Sequence, residues 1–302
     1  MAALLLTACG AADLLWGQVV PTASLATMLA SYYPNLVIGP NGNNYTVANP
    51  VIAVNLQSPN DGGALRQLDV RVALGYAFNK HADDLIYGGP AVSGVLNEVV
   101  PSGSAGYISG YDPYPTANDE GHPVKAESYL TKAGFSPGQI TLNLVHLTAS
   151  VHLKIAQADQ AALQAAGFKV NLIPVTPPNA IYTSYLESPT ASQTGACGIA
   201  ETEWTLDWLG NNGRSVIEPL FDGRTYGPNS RDYGDHDNAN VNSDIDRALT
   251  SSTSVQSATY WQAAPQTGHE RRRDRPIGAQ KQAVYHSTRV QACQFLIRER
   301  EL

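Results

Sequence analysis

The sequence predicts an α/β protein of mixed sheets with flanking helices, and three observations predict it. First, the apolar pattern alternates at Ile140, Leu142 and Leu144, takes helical spacing at Ile155, Ala162, Leu163 and Ala166, then alternates again at Phe168, Val170 and Leu172. A strand, a helix and a strand in that order, with so long a connection, imply parallel pairing. Second, residues 50–57 carry a short apolar run, Val51 to Leu56, that reads as a buried strand. Third, 302 residues with 43% hydrophobic and 15% charged side chains suffice for two domains of ordinary size and argue against long disorder.

Taken in order, residues 12–40 mix apolar runs with Pro21, Pro34 and Pro40, and Asn41-Gly42-Asn43-Asn44 signals a turn. Ser58 to Gly63 is a loop. Asp69 is placed to cap a helix whose apolar positions are Val70, Ala73, Leu74, Ala77 and Phe78. Gly88-Gly89 breaks the chain's regular structure, and residues 96–122, rich in Pro, Gly, Ser and Tyr, read as an ordered surface loop. Pro123 can open the next helix, because its missing N–H is not needed in the first turn. Its apolar face is Ala126, Tyr129, Leu130 and Ala133, and Gly134 stands where a left-handed cap belongs. Gly167 stops the helix of about residues 151–166. Ala180 to Leu186 reads as helical and Gly198 to Leu206 as a strand. Residues 226–242 are rich in turns, helices are expected near 241–250 and 254–264, and strands within 277–285. There is no internal repeat.

A net charge of −7 disfavours a nucleic-acid role, since phosphate binding needs a surplus of Lys and Arg. The cysteines, Cys9, Cys197 and Cys293, form no CxxC pair and no disulfide framework. No stretch reaches the roughly 20 apolar residues of a membrane span. Leu6-Thr7-Ala8-Cys9-Gly10 looks like a bacterial lipoprotein cleavage box in which Cys9 would be acylated. A secretion signal also carries a basic segment and a longer apolar core, whereas no Lys or Arg precedes Cys9 and the apolar run is Ala2 to Leu6. A buried element end leading into Ala12-Asp13-Leu14-Leu15-Trp16 is the alternative.

The segment richest in chemistry is Trp204-Thr205-Leu206-Asp207-Trp208-Leu209-Gly210-Asn211-Asn212-Gly213-Arg214. Read as a ligand cleft, Trp204 and Trp208 give apolar walls, Asp207 meets a cation or amine, and Asn211 and Asn212 offer adaptable hydrogen bonds. Read as a buried turn, Asp207 caps backbone groups and the indoles fill core. Clefts and cores use the same rings, so the residues alone leave both readings open.

These phrases stand in a longer order. Asn55-Leu56-Gln57, Asp69 to Lys80, Tyr87-Gly88-Gly89-Pro90, Lys125 to Leu130 with Ala133-Gly134-Phe135, Ala165 to Val170, Trp204 with Asp207-Trp208, Pro219-Leu220-Phe221, Asn229-Ser230 and Tyr233 succeed one another across residues 12–264. In this the chain resembles the C-terminal portion of the extracellular solute-binding proteins of peptide/nickel-type ABC transporters. The resemblance implies periplasmic-binding-protein-like lobes closing over a ligand, in an N-terminally truncated chain with Met1 at an internal position. Residues 1–50 would be a remnant of the first lobe, 51–225 the second large, ligand-binding lobe, and 226–302 a return segment to the first.

It also implies a binding protein and not an enzyme: the substrate-binding component of an ABC importer. Such a protein captures peptides or similar small solutes on the extracellular side of the membrane or in the periplasm, and hands them to a membrane permease. No cofactor is implied, and nickel complexes, sugars and opines are possible ligands on the same fold. Members that bind peptides place an Asp at the position of Asp207, where it pairs with the peptide's α-amino group. A charge-assisted bond in a closed, low-dielectric cleft is a strong one. Arg214 would face a ligand carboxylate, or form a surface ion pair.

Three departures qualify the resemblance. The resemblance implies that the family's secretion signal and first lobe would be missing ahead of residue 12. Gly198 stands where the family tends to carry an Asp before Ile199, so a pairing that anchors the cleft strand is expected to be lost. Finally, Gly268-His269-Glu270-Arg271-Arg272-Arg273-Asp274-Arg275-Pro276 replaces a moderately apolar stretch. One codon choice for His269 to Pro276, read one base later, translates to Met-Lys-Asp-Ala-Ala-Ile-Val, which fits the family. A local frame slip is therefore expected, and the DNA across this stretch decides it. With Arg in place of apolar residues, the stretch is expected to be exposed and disordered.

The alternatives are a nonfunctional fragment and a metal-dependent hydrolase. For the latter, His236 lies between Asp235 and Asp237, but no second spaced cluster accompanies it. Ser287 beside His286 lacks a nucleophile-elbow context, and no Gly-rich phosphate loop comes after a strand. No catalytic and no metal-binding residue is assigned.

Overall fold

The structure is a computed structural model. It describes the backbone of residues 14–18, 27, 30–31, 36–38, 47–91, 93–102, 104–205, 213–235, 237–269, 275–276, 278–280 and 283–286, and the side chains of 27, 30–31 and those from 50 to 265 except residue 91. Strands β1 (Leu14–Gln18), β2 (Leu36–Ile38) and β3 (Val47–Val54) lead to helices α1 (Leu68–Ala77) and α2 (Lys80–Tyr87). Next come β4 (Ser93–Val95), α3 (Pro123–Lys132), β5 (Thr141–Leu147), α4 (Ser150–Ala165), β6 (Lys169–Val175), α5 (Pro189–Thr194) and β7 (Ile199–Thr205). Helices α6 (Arg214–Phe221), α7 (Ala239–Thr250) and α8 (Ser254–His269) come after these, then β8 (Arg275–Pro276), β9 (Gly278–Gln280) and β10 (Ala283–His286).

The main sheet is mixed, in the order β4-β9-β3-β7-β5-β6, with β8 also paired to β3. Strands β5 and β6 run parallel from Thr141↔Lys169 to Leu147↔Val175, as the strand–helix–strand pattern requires. Strand β7 is parallel to β5 at Leu144↔Ile199 and antiparallel to β3 at Val54↔Ile199. A second, three-stranded antiparallel sheet joins β1 and β2 to the late strand β10.

Successive side chains on a strand point to opposite faces, so each of these strands feeds two apolar layers. On one face Ile52, Val54, Leu142, Leu144 and Ile199 pack with Val70, Leu74, Leu130 and Leu163 from α1, α3 and α4. On the other, Ala53, Val145, Val175 and Ala200 pack with Ile217, Leu220, Val241, Ile245 and Trp261 from α6, α7 and α8.

Local chemistry sets the element ends. Strand β3 stops at Val54 because Asn55 turns its amide on the backbone: its Oδ1 accepts from Gln57 N at 2.8 Å. Helix α3 opens at Pro123, with His122 as its N-cap accepting from Lys125 N at 3.2 Å. Gly134 and Gly167 lie just after α3 and α4 with φ of +88° and +93°, the left-handed conformation that favours glycine.

Three expectations need correction. Asp69 does not cap α1; the N-cap is Gln67, with no side-chain bond, and Asp69 instead forms an ion pair with Lys132 at 2.8 Å. Residues 180–186 are helical as expected, with the wide π form over Tyr182–Leu186, where Glu187 N donates to Tyr182 O at 2.8 Å. The 96–122 segment is more than a surface loop, since it buries Val99, Val100 and Tyr114. Arg275–Pro276, the end of the basic run, pairs with Val51 and Ile52 of β3 and is not loose; residues 270–274 lie outside the described residues.

Candidate functional site

Strand β7 carries the chain from the centre of the sheet to the site. Its start is held without the acidic partner expected at residue 198. Gly198 N donates to Asn143 O and Gly198 O accepts from Asn55 N, each at 3.0 Å. The buried Asn55 amide donates to Ser192 O at 3.0 Å and to Cys197 O at 2.6 Å. Burial pushes the Cys197 thiol up to about 12, so it stays protonated and unreactive.

At its other end β7 presents Trp204. The indole is half-buried, its Nε1 donates to Ser215 O at 2.8 Å, and its ring meets Tyr233 edge-on with centroids 6.2 Å apart. Tyr233 in turn lies 5.9 Å from Tyr182. Beside this aromatic group opens a groove of about 810 Å³, lined among others by Trp204, Arg214, Ser215, Glu218, Asn229 and Arg231. Its size lies within the range of small-ligand sites.

Of the residues expected to bind a ligand, Trp204 and Arg214 are therefore brought together on one groove. Asp207, Trp208, Asn211 and Asn212 belong to residues 206–212, which lie outside the described residues. The two flanks of that segment, Trp204 and Arg214, both line the groove. Its exit is fixed by packing: a Cβ on Gly213 would fall 2.5 Å from Ala105 O and 2.6 Å from the Trp261 ring, so only glycine fits. Arg214 is largely exposed and pairs with Glu218 at 2.5 Å, one helical turn on.

Sequence reasoning missed Arg231, Glu187 and Glu218. Arg231 lines the groove, forms an ion pair with Glu187 and donates to the Tyr233 hydroxyl at 3.4 Å. Its signal was within reach, because it stands between Asn229-Ser230 and Tyr233, phrases already singled out. Arg214, Arg231 and Glu218 beside the Trp204 ring can receive a ligand bearing both charges.

Among the described residues, no group of three His, Cys, Asp or Glu side chains is placed to hold a metal ion. No described helix is long and apolar enough to cross a membrane. Cys9, His236 and Ser287 lie outside the described residues.

A mixed sheet with helices on both faces, feeding a groove from the end of a central strand, is the architecture of a periplasmic-binding-protein-like binding lobe. Residues 12–221 match the model of the bacterial extracellular solute-binding proteins, family 5. The chain belongs to that family, whose fold is that of binding proteins. No curated protein matches it by sequence.

Among solved structures it is similar to the clavulanic acid biosynthesis oligopeptide binding protein 2, with a TM-score of 0.81 and 18% identity over 95% of this chain and 50% of that one. The Escherichia coli murein tripeptide binding protein MppA gives a TM-score of 0.73 and 18% identity, over 95% of this chain and 52% of that one. Helicobacter pylori DppA, solved in complex with the peptide STSA, gives 0.70 and 17%, over 97% and 52%. At such identities the likeness is one of fold. The chain spans about half the length of these structures.

Proposed function

We propose that the chain is the substrate-binding component of an ABC importer, capturing peptides or similar small solutes for a membrane permease, on the extracellular side of the membrane or in the periplasm. The observation that carries this reading is the groove beside Trp204: both flanks of the 206–212 segment line it, in a chain of the family 5 binding proteins. Asp207 pairs with the ligand's α-amino group, Trp204 and Trp208 wall the ligand, and Asn211 and Asn212 bond its backbone. Arg214 faces its carboxylate, exchanging Glu218 for the ligand. Several structural neighbours bear the names of peptide binders, and the DppA structure holds a peptide.

The same reading divides the chain into a remnant of one lobe over 1–50, the ligand-binding lobe over 51–225 and a return segment over 226–302. Pairing of β1 and β2 with β10 supports the return, because it joins the first and last described strands in one small sheet. Helices α7 and α8 of the third segment pack on the ligand-binding lobe, so in space the return begins after them.

The test is ligand-induced stabilisation, since anything that binds the folded state raises its melting temperature by mass action. Di- and oligopeptides should raise it for the folded 302-residue chain, and no shift with any of them counts against peptide binding. Asp207→Ala should weaken peptides with a free amine about tenfold to a hundredfold, the worth of a hydrogen bond to a charged group. Amine-acetylated peptides should be affected far less; equal loss for both refutes the role given to Asp207.

A further inference from the structure

Two arginines line the groove beside Trp204, and what each still has to donate bears on the ligand. The guanidinium is a planar fork of N–H donors that grips a carboxylate through two of them at once. Two edges of the fork can do this. One is the end, where Nη1 and Nη2 stand side by side. The other is the flank, where Nε–H runs parallel to an N–H of Nη2. Which edge the protein already uses therefore decides which is left for a ligand.

Arg214, the first residue of α6, donates from Nε to Glu218 Oε2. Its end, Nη1 with Nη2, meets no acceptor among the described residues. Arg231 is engaged the other way. Its Nη1 serves both the Glu187 carboxylate and the Tyr233 hydroxyl, and its flank, Nε with Nη2, meets no acceptor among the described residues. Each guanidinium thus keeps one complete two-donor edge. The two side chains are 66% and 53% exposed, so a ligand in the groove can reach them.

The position of Arg231 is built. Glu187, whose side chain is 7% exposed, anchors the guanidinium, and Asn229 N donates to the Glu187 carbonyl at 3.1 Å. Tyr233, the other partner of Nη1, also meets the Trp204 ring. The fork is therefore set against the aromatic wall before any ligand arrives, and less side-chain freedom remains to be lost on binding. A purely structural tie between the Tyr182–Leu186 turn and residues 227–233 would explain the Glu187 pair. It would not call for a free flank on the groove that also holds the free end of Arg214.

We propose that Arg231 sets the specificity of the groove and selects peptides with a second carboxylate, those whose last residue is Asp or Glu. This rests on the peptide-binding reading above. Arg214 takes the α-carboxylate on its end, and Arg231 takes the side-chain carboxylate on its flank. A side-chain amide offers one acceptor oxygen where the flank presents two donors, and a lysine side chain offers none.

Glu187 limits the size of the effect. Its charge already balances the Arg231 cation, so the second carboxylate gains charge-assisted hydrogen bonds but little net attraction. The preference for a carboxylate over its amide isostere is then about tenfold, the low end of what hydrogen bonds to charged groups are worth.

The experiment measures binding of Ala-Ala-Glu, Ala-Ala-Gln and Ala-Ala-Lys to the full 302-residue chain by titration calorimetry. Ala-Ala-Glu should bind about tenfold more tightly than Ala-Ala-Gln, with Ala-Ala-Lys the weakest. Arg231→Lys keeps a cation for Glu187 but has no two-donor flank, and it should bring the ratio of Glu to Gln affinity down to about one. Equal binding of Ala-Ala-Glu and Ala-Ala-Gln by the wild type overturns the proposal and leaves the peptide reading standing. A preference that survives in Arg231→Lys overturns the role of Arg231. Binding of none of the three refutes the peptide reading and the proposal with it. The wild-type comparison decides even where Arg231→Lys fails to fold.

Discussion

Glu98 sits in the irregular segment after β4 with one oxygen bonded to Ile108 N at 2.6 Å and the other unmet. Burial pushes its carboxyl from 4.5 to about 8, against the pull of that single N–H. The sign of the consequence is fixed: stability is fullest below 4.5 and declines as the pH rises toward about 8, because the unfolded chain sheds the proton first. Glu98→Gln keeps the bond to Ile108 and removes the titration. Denaturant melts should show it matching wild type in acid and exceeding it above about pH 8, and an identical pH slope for both proteins would contradict this. Nothing in the sequence around Asn97-Glu98-Val99 marks the residue, because its burial depends on contacts made by a segment with no periodicity.

Between elements, the junction of β3 with β7 depends on one amide. Asn55 ends β3 and ties down the carbonyls of Ser192 and Cys197, immediately before β7 begins. Asn55→Ala should cost about 1–3 kcal/mol, the penalty for leaving buried polar groups unmet. Asn55→Asp should cost more, because a carboxylate would face two carbonyl oxygens. Urea unfolding of the pair checks the order, and a fully stable Asn55→Asp would mean that the amide is turned the other way.

The elements themselves were largely legible. The unit β5–α4–β6 announces itself by changing period, and α3 by Pro123 and Gly134. What escaped were partners distant in sequence. Asp69 has every local mark of a cap, yet Lys132 of α3 claims it. The candidate site was legible in kind, through the Trp204–Arg214 phrase, but Arg231 and Glu187 join it only through the fold.

For the molecule as a whole, the main sheet is shared property. Leu144 and Val145 are neighbours on β5, yet they serve opposite cores. Disturbing either layer should therefore undermine the sheet and with it the other layer. Leu144→Ala on one side and Ile217→Ala on the other should each cost about 2–5 kcal/mol. Both should lower a single transition seen alike by far-ultraviolet circular dichroism and tryptophan fluorescence. Two separated transitions would show that the layers melt independently.

The order of the strands carries a consequence in time. Strand β3 lies at the heart of the sheet, but its neighbours β7, β8 and β9 are drawn from residues 199–205, 275–276 and 278–280. At roughly 5–20 residues per second, a ribosome would finish β3 tens of seconds before it finished β9. One edge of this apolar strand stays open until β7 is made, and the other for the whole of that wait. Assembly must then close very long loops, which makes folding slow and the nascent chain a natural client for chaperones.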